Sequence, residues 1–181
     1  MWPDEIQWTI RQLDRYLPVD CATCVDVGSE GEHYRTKRQP WMQGFYAYLA
    51  GRRIRIHTMD FNPETLADYI HDITRPPVEI GPFDLVIATH LLEHIPCVRL
   101  PDVVVNLEMM VDRGRHLWVS VPNKYPYHER PIDNGWRPTA KELVEVFHGE
   151  VIVAGTFEVE HTLPQYYGKP KNRVSCAMMS Y

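Results

Sequence analysis

The chain has 181 residues, a length typical of one domain. Its 19 Lys and Arg stand against 24 Asp and Glu, a formal net charge of −5, which argues against a nucleic-acid binder because such proteins need a basic surface. The sequence has neither an apolar run of membrane-span length nor the basic and apolar segments of a signal peptide. Four cysteines are too few for a disulfide scaffold. We therefore expect a cytoplasmic domain with reduced, mostly buried thiols and no membrane partner.

Apolar spacing and helix-terminal residues predict elements that alternate along the chain. Residues 4–17 are predicted to form a helix that is capped by Asp4 and ended by Pro18. Apolar or alternating runs predict strands at 22–27, 53–59, 70–73, 83–89, 116–121, 151–160 and 173–181. Starts marked by Pro or a Thr-x-x-Glu capping box, and ends marked by Gly, predict helices at 40–49, 101–112 and 139–149.

This alternation predicts an α/β fold. Strand and helix alternate from residue 22 to about 149, and two strands close the chain. We expect a three-layer Rossmann-like sandwich around a mostly parallel sheet of about seven strands. The last two strands are separated by about a dozen residues without a helical pattern, which predicts an antiparallel edge hairpin. We interpret residues 1–181 as one domain that begins with a helical region at 1–20.

Polar residues follow four of the strands, at the edge where α/β sheets bind ligands. The turn 26–31 (DVGSEG) either lets a ligand approach its backbone or is an ordinary tight turn. Asp60 follows the second strand, where a carboxylate can accept both hydroxyls of a ribose. Asp72 could bind an exocyclic amine, while Ile73 packs on an aromatic ring. The segment 90–94 (HLLEH) follows the most apolar strand.

Together these segments resemble the class I S-adenosylmethionine (SAM)-dependent methyltransferases. VDVGSEG is similar to the first motif of the family, HTMDFNPE to the second, HDIT to the third and FDLVIATHLLEHI to the fourth, which is the most specific of them. The segment VSVPNKYPYHERPIDNGWRPTAKELVEVF resembles one branch of the family, in which it follows the fifth strand. The resemblance covers residues 22–149.

The resemblance implies that SAM lies across the strand ends and donates a methyl group to a small-molecule substrate, a polar acceptor such as a sugar or another metabolite. The implied cofactor-binding residues are Asp26, Gly28, Ser29, Gly31, Asp60, Phe61, Asp72, Ile73 and His90. The turn 26–31 would line the methionine part, Asp60 would bind the ribose, and Phe61 would pack beside the adenine. His90 would lie near the sulfonium, and the candidate catalytic bases are His90, His94 and His128.

The sequence departs from the family pattern in the first motif, where Glu30 and Glu32 replace usual glycines. Glu30 adds bulk where the backbone approaches SAM, although its charge could also favour the positive groups of SAM. A degenerate methyltransferase fold that acts as a binding or partner protein is therefore a second hypothesis.

Segment 90–94 is also the H-x-x-E-H string of inverted zinc peptidases, in which Glu93 would be the base. Zinc binding needs this string within a helix together with a third ligand. Here it directly follows a strand, and Pro96 comes almost at once. We therefore expect no metal site.

The loop 123–138 is long for a compact domain and rich in aromatic and charged residues. A loop of this length is uncommon unless it is functional. It could cover the acceptor site as a lid, with His128 as a base and Arg137 binding an anion. It could also be a well-packed loop in which Arg137 pairs with Asp133.

Overall fold

The computed structural model describes residues 1–32, 34–77, 79–125, 133–160 and 171–181. These residues form a seven-stranded sheet. Its strands are β1 (Thr23–Val27), β2 (Arg55–Asp60), β3 (Tyr69–Ile70), β4 (Phe83–Thr89), β5 (Val111–Lys124), β6 (Glu150–Val159) and β7 (Asn172–Ser180). Their order is β3-β2-β1-β4-β5-β7-β6; β7 runs antiparallel to both neighbours, whereas β1 to β5 pair in parallel. The predicted mostly parallel sheet with an antiparallel pair at one edge is confirmed.

Helices cover both faces of the sheet. The α-helices among the described residues are α1 (Pro3–Tyr16), α2 (Met42–Gly51), α3 (Leu100–Met109) and α4 (Ala140–Val144). Successive strand residues point to opposite faces, so Leu85 and Ile87 of β4 pack into the core that α1 and α2 cover. Val86 and Ala88 pack into the core that α3 covers. The result is the predicted three-layer sandwich.

The start of α1 differs from its prediction, because Asp4 is not the cap. Trp2 is the N-cap residue, and its backbone N–H donates to Glu5 Oε2 at 2.9 Å. Pro3 occupies the first helical position, which suits proline because no N–H is needed there. Asp4 instead accepts a hydrogen bond from the Glu160 backbone N–H at 2.9 Å.

Two helices are shorter than their apolar patterns predict. Helix α3 ends at Met109 rather than residue 112, because Val111 already pairs with Phe83 at the start of β5. The capping box of α4 is present, but that helix ends at Val144 rather than residue 149. Beyond it, the His148 backbone N–H donates to Glu108 Oε1 at 2.7 Å and not to a helical carbonyl.

Cysteine environments agree with the prediction at three positions. Cys21, Cys24 and Cys176 are free and buried, whereas Cys97 is free but exposed. Burial raises the pKa of the Cys24 and Cys176 thiols well above the ordinary value. Within the described ranges, no helix has the length and apolar character needed to cross a bilayer.

Candidate functional site

The strand order creates a crevice at the carboxyl ends of β1 and β4. From β1 the chain builds outward first to β2 and β3 and then to β4 and β5, and ligands bind at such a switch in strand order. Val27 pairs with Met59 on one side and with Ala88 on the other, so the strand ends are level. A Cβ on Gly28 would lie 3.0 Å from Leu91 Cδ1, so the segments after β1 and β4 are in contact.

The turn after β1 depends on left-handed backbone. Gly28 has a φ of +73°, and its N–H donates to the Met59 carbonyl at 2.8 Å. Ser29 is only 6% exposed, and its Oγ is a buried atom that makes no hydrogen bond to the described residues. Buried hydroxyls normally have partners, so an orphaned one at this turn indicates a place for a ligand atom. Gly31 ends the turn, and a Cβ at this position would lie 3.5 Å from Thr65 Cα in the segment after β2.

Asp60 joins this turn to the end of β2. Its Oδ2 accepts the Glu30 backbone N–H at 3.2 Å, and its Oδ1 accepts the Asn62 backbone N–H at 2.9 Å. The residue is 8% exposed. A carboxylate has about four lone-pair sites, so each oxygen can accept a further hydrogen bond from a ligand. Phe61 follows Asp60 in the chain and is 76% exposed.

Of the two candidate residues after β3, Asp72 lies at the surface and Ile73 lies in the core. Asp72 Oδ1 accepts both the backbone N–H and the hydroxyl of Thr74, at 2.9 and 2.8 Å. Although desolvation acts in the opposite direction, these hydrogen bonds lower the pKa of Asp72. Ile73 is 6% exposed and belongs to the core that α3 covers, where its carbonyl accepts from Asn106 Nδ2 at 2.7 Å. Asp72 is thus within reach of a ligand, while the Ile73 side chain is part of the core.

Asp26 lies buried near the end of β1, and the Tyr46 hydroxyl of α2 donates a hydrogen bond to its Oδ2. Burial raises the pKa of Asp26 despite this hydrogen bond. Tyr46 was not a candidate from the sequence. It orients the Asp26 carboxylate from the neighbouring helix.

A second group of acidic residues surrounds His90. We define the acid–histidine cluster as Glu5, His90, Glu93 and Ser120. His90 has a φ of +53°, and its backbone N–H donates to the Ser120 carbonyl at 2.9 Å. Its Nε2 lies 2.8 Å from Glu5 Oε2, and its Nδ1 lies 3.4 Å from Glu93 Oε1. Burial alone would lower the pKa of His90, but the charge of Glu5 and the hydrogen bonds to both carboxylates raise it. Both ring nitrogens of His90 therefore face a carboxylate oxygen.

Glu5 is the member of this cluster that the sequence analysis missed. It is fully buried, and its Oε1 accepts the Ser120 hydroxyl at 2.5 Å. Burial acts to raise the pKa of Glu5, but the charges of His90 and of the N-terminal amino group, together with the hydrogen bonds from His90 and Ser120, lower it to about 2. One signal was available, because Glu5, Thr9 and Leu13 recur every four residues and form one buried stripe of α1. A carboxylate on such a stripe needs a partner inside the protein.

One aromatic ring contacts the acid–histidine cluster, and a second ring packs against the first. The Trp2 ring meets His90 edge-on with centroids 4.5 Å apart, and Tyr125 lies 5.2 Å from the Trp2 ring. His94 is partly exposed, with Nε2 3.9 Å from Glu93 Oε1. His128 lies outside the described residues, so its predicted role stays a prediction.

The H-x-x-E-H string does not adopt the geometry of a zinc peptidase. Leu92–His94 is a single 3-10 turn, and His90 precedes it in a left-handed conformation, so His90 and His94 do not share a helix face. Across the described ranges, no group of three or more His, Cys, Asp or Glu side chains is arranged to hold a metal ion.

The described part of the loop 123–138 contains a buried ion pair. Arg137 Nη2 contacts Asp133 Oδ2, and the two side chains are 10% and 1% exposed. This is the pairing expected of a well-packed loop. Residues 126–132 lie outside the described residues, so the predicted lid stays a prediction.

Glu30 occupies a position where the backbone favours glycine. Its φ is +58°, and a non-glycine residue in this region costs roughly 1 kcal/mol or more. Desolvation and the nearby Asp60 charge also raise the pKa of Glu30. We expect Glu30→Gly to stabilise the fold by about 0.5–1 kcal/mol and to raise the melting temperature by about 1–4 °C in thermal unfolding.

The matched control for this change is Glu32→Gly, because Glu32 is exposed and has no left-handed backbone. It should leave the melting temperature unchanged or lower it. Equal melting temperatures for the two variants would show that the backbone at Glu30 is unstrained.

Comparison with known proteins identifies the fold but no sequence relative. No family model matches the chain, and no curated protein matches its sequence. Among solved structures, TehB from Haemophilus influenzae superposes with a TM-score of 0.66 at 13% identity, covering 96% of this chain. This chain spans 61% of the length of TehB.

Two further similar structures contain bound SAM or S-adenosylhomocysteine. The 1,6-didemethyltoxoflavin-N1-methyltransferase of Burkholderia thailandensis, with bound S-adenosylhomocysteine, superposes with a TM-score of 0.64 at 13% identity, covering 97% of this chain and 78% of its own. Magnesium protoporphyrin IX methyltransferase (ChlM) from Synechocystis PCC 6803, with bound SAM, superposes with a TM-score of 0.57 at 15% identity. The match covers 98% of this chain and 79% of ChlM. The chain therefore has the fold of the class I SAM-dependent methyltransferases.

Proposed function

We propose that this protein is a SAM-dependent methyltransferase that acts on a small polar acceptor and binds SAM in the crevice at the ends of β1, β2 and β4. The observation that carries the proposal is Asp60. It is a nearly buried carboxylate with spare lone pairs, held beside the Gly28 turn at the switch in strand order. Several structures with the same fold carry SAM or its product, S-adenosylhomocysteine, in their ligand sites.

The residues of the crevice fit the chemical groups of SAM. Asp60 would accept the ribose hydroxyls, and Asp72 would accept the adenine amine through its second oxygen. Phe61 would cover the adenine ring. The orphaned Ser29 hydroxyl and the buried Asp26 carboxylate would bind at the methionine end. SAM would supply a methyl group on a positively charged sulfur, and this acidic crevice complements that charge.

The rest of the site would act on the acceptor by orienting it. The acid–histidine cluster and the rings of Trp2 and Tyr125 lie at the same edge of the sheet, because Leu91, next to His90, contacts the Gly28 turn. Holding two reactants in the correct geometry can supply roughly 7–11 kcal/mol of rate acceleration in ideal cases. Such orientation is the main task of a protein whose cofactor carries the reactive group.

Calorimetric titration with S-adenosylhomocysteine tests the proposal. We expect saturable micromolar binding at one site. Adenosine monophosphate is the matched control, because its phosphate would be repelled by Asp26, Glu30 and Asp60, and it should bind at least about tenfold more weakly. If the wild-type protein gives no binding heat with S-adenosylhomocysteine at millimolar concentration, the degenerate binding or partner protein becomes the better account.

A further inference from the structure

Glu93 is a buried carboxylate with one oxygen unused. The residue is 1% exposed and lies in the Leu92–His94 turn directly after β4. Its Oε1 faces His90 Nδ1 at 3.4 Å and His94 Nε2 at 3.9 Å. Its Oε2 is buried and has no hydrogen-bond partner among the described residues.

An unpartnered carboxylate oxygen is costly inside a protein, where solvent does not compensate it. Most buried polar atoms have partners, and the exceptions frequently mark functional positions. Nothing in the fold requires this one, because the backbone of the turn is satisfied separately and the Glu93 carbonyl accepts the Asn134 N–H at 2.8 Å. The exception therefore indicates a ligand group that donates a hydrogen bond to Oε2.

The charges of the acid–histidine cluster limit what that ligand group can be. The side chains of Glu5 and Glu93 face the two nitrogens of the His90 ring, and the N-terminal amino group adds a positive charge near Glu5 and His90. Glu5 already accepts hydrogen bonds from the Ser120 hydroxyl, the Trp2 backbone N–H and the His90 ring, whereas Glu93 Oε2 accepts none from the described residues. Because Glu93 Oε2 is a hydrogen-bond acceptor, it favours a neutral or positively charged donor and disfavours an anion.

The surroundings favour an amine in particular. The Trp2 ring stands beside His90, the Tyr125 ring packs against Trp2, and aromatic faces attract cationic nitrogen. The segment also borders the proposed SAM crevice, because Leu91 contacts the Gly28 turn.

We propose, on the basis of the function proposed above, that Glu93 binds the methyl acceptor through Oε2 and that the acceptor is a small molecule with an amine at the methylated position. Glu93 receives an N–H of this amine. His90 acts as a positioning residue that holds the Glu93 carboxylate by donating to Oε1, and it does not act as a base.

The test compares two ligands that differ at the position of methyl transfer. Sinefungin carries an amine where SAM carries its transferable methyl group and a carbon in place of the sulfur, whereas S-adenosylhomocysteine has an uncharged sulfur with no donor there. We expect the wild-type protein to bind sinefungin at least about tenfold more tightly, since a charge-assisted hydrogen bond to Glu93 adds affinity. In Glu93→Gln the affinities for sinefungin and S-adenosylhomocysteine should differ by no more than about twofold. The affinity for S-adenosylhomocysteine itself should be unchanged.

Asp102→Asn is the charge-matched control, because Asp102 is an exposed carboxylate on α3, and it should keep the wild-type preference. A wild-type protein that binds S-adenosylhomocysteine but shows no preference for sinefungin overturns the role of Glu93, whether or not the Glu93 variant folds. A preference that survives in Glu93→Gln overturns it as well. Failure of both ligands to bind the wild type contradicts the proposed function itself, and the role of Glu93 falls with it.

Discussion

Glu5→Gln is expected to lower the free energy of unfolding by about 3 kcal/mol in mildly acidic solution. Removing one partner of a buried ion pair leaves the other charge uncompensated. In this case His90 must either keep a buried charge beside an amide or lose its proton. Urea unfolding of the wild type and the variant measures the difference.

The pH dependence of this effect follows from the two pKa shifts. The pKa of Glu5 is lowered to about 2 from an ordinary 4.5, so its contribution is present above about pH 4.5 and is lost as the pH falls toward 2. The pKa of His90 is raised above 6.5, so its contribution is complete below that pH and is lost as the pH rises through the raised value. The variant should therefore differ most from the wild type between about pH 4.5 and 6.5, and less in alkaline solution.

Glu145→Gln provides a control for this prediction. Glu145 is an exposed carboxylate that lies 3.9 Å from Lys141, and exposed pairs contribute about 0–1 kcal/mol. Its unfolding should match the wild type at every pH. A Glu5→Gln difference that is the same in mildly acidic and alkaline solution would contradict the charged pairing with His90.

Asp60→Asn is expected to weaken the binding of S-adenosylhomocysteine by about 30-fold, equivalent to about 2 kcal/mol. An amide presents a single acceptor oxygen, whereas two ribose hydroxyls require two acceptors. The variant also loses the carboxylate that accepts the Glu30 N–H at 3.2 Å. Calorimetric titration measures the affinity, and thermal unfolding shows whether the fold is retained.

Glu64→Gln is the matched control, since Glu64 is an exposed carboxylate in the turn Pro63–Thr65 just after β2. It removes the same charge a few residues away and should bind S-adenosylhomocysteine with wild-type affinity. Wild-type affinity in a folded Asp60→Asn protein would remove Asp60 from the proposed binding site.

The boundaries of the elements show where local sequence patterns stop being informative. The capping box of α4 was visible because it involves residues three apart, and it forms as predicted. The end of the same helix depends on Glu108, which lies 40 positions away in the chain and accepts a hydrogen bond from the His148 backbone N–H. Apolar periodicity contains no information about such a partner.

The sequence by itself determined the order of the elements and the residues that follow each strand. Because the carboxyl ends of parallel strands share one edge of a sheet, that order was enough to bring the Gly28 turn, Asp60 and the segment after β4 together. The tertiary structure alone decided the chemical state of the residues at that edge. His90 is held between Glu5, 85 positions away, and Glu93, and the charge of a buried group depends on which partners packing brings to it.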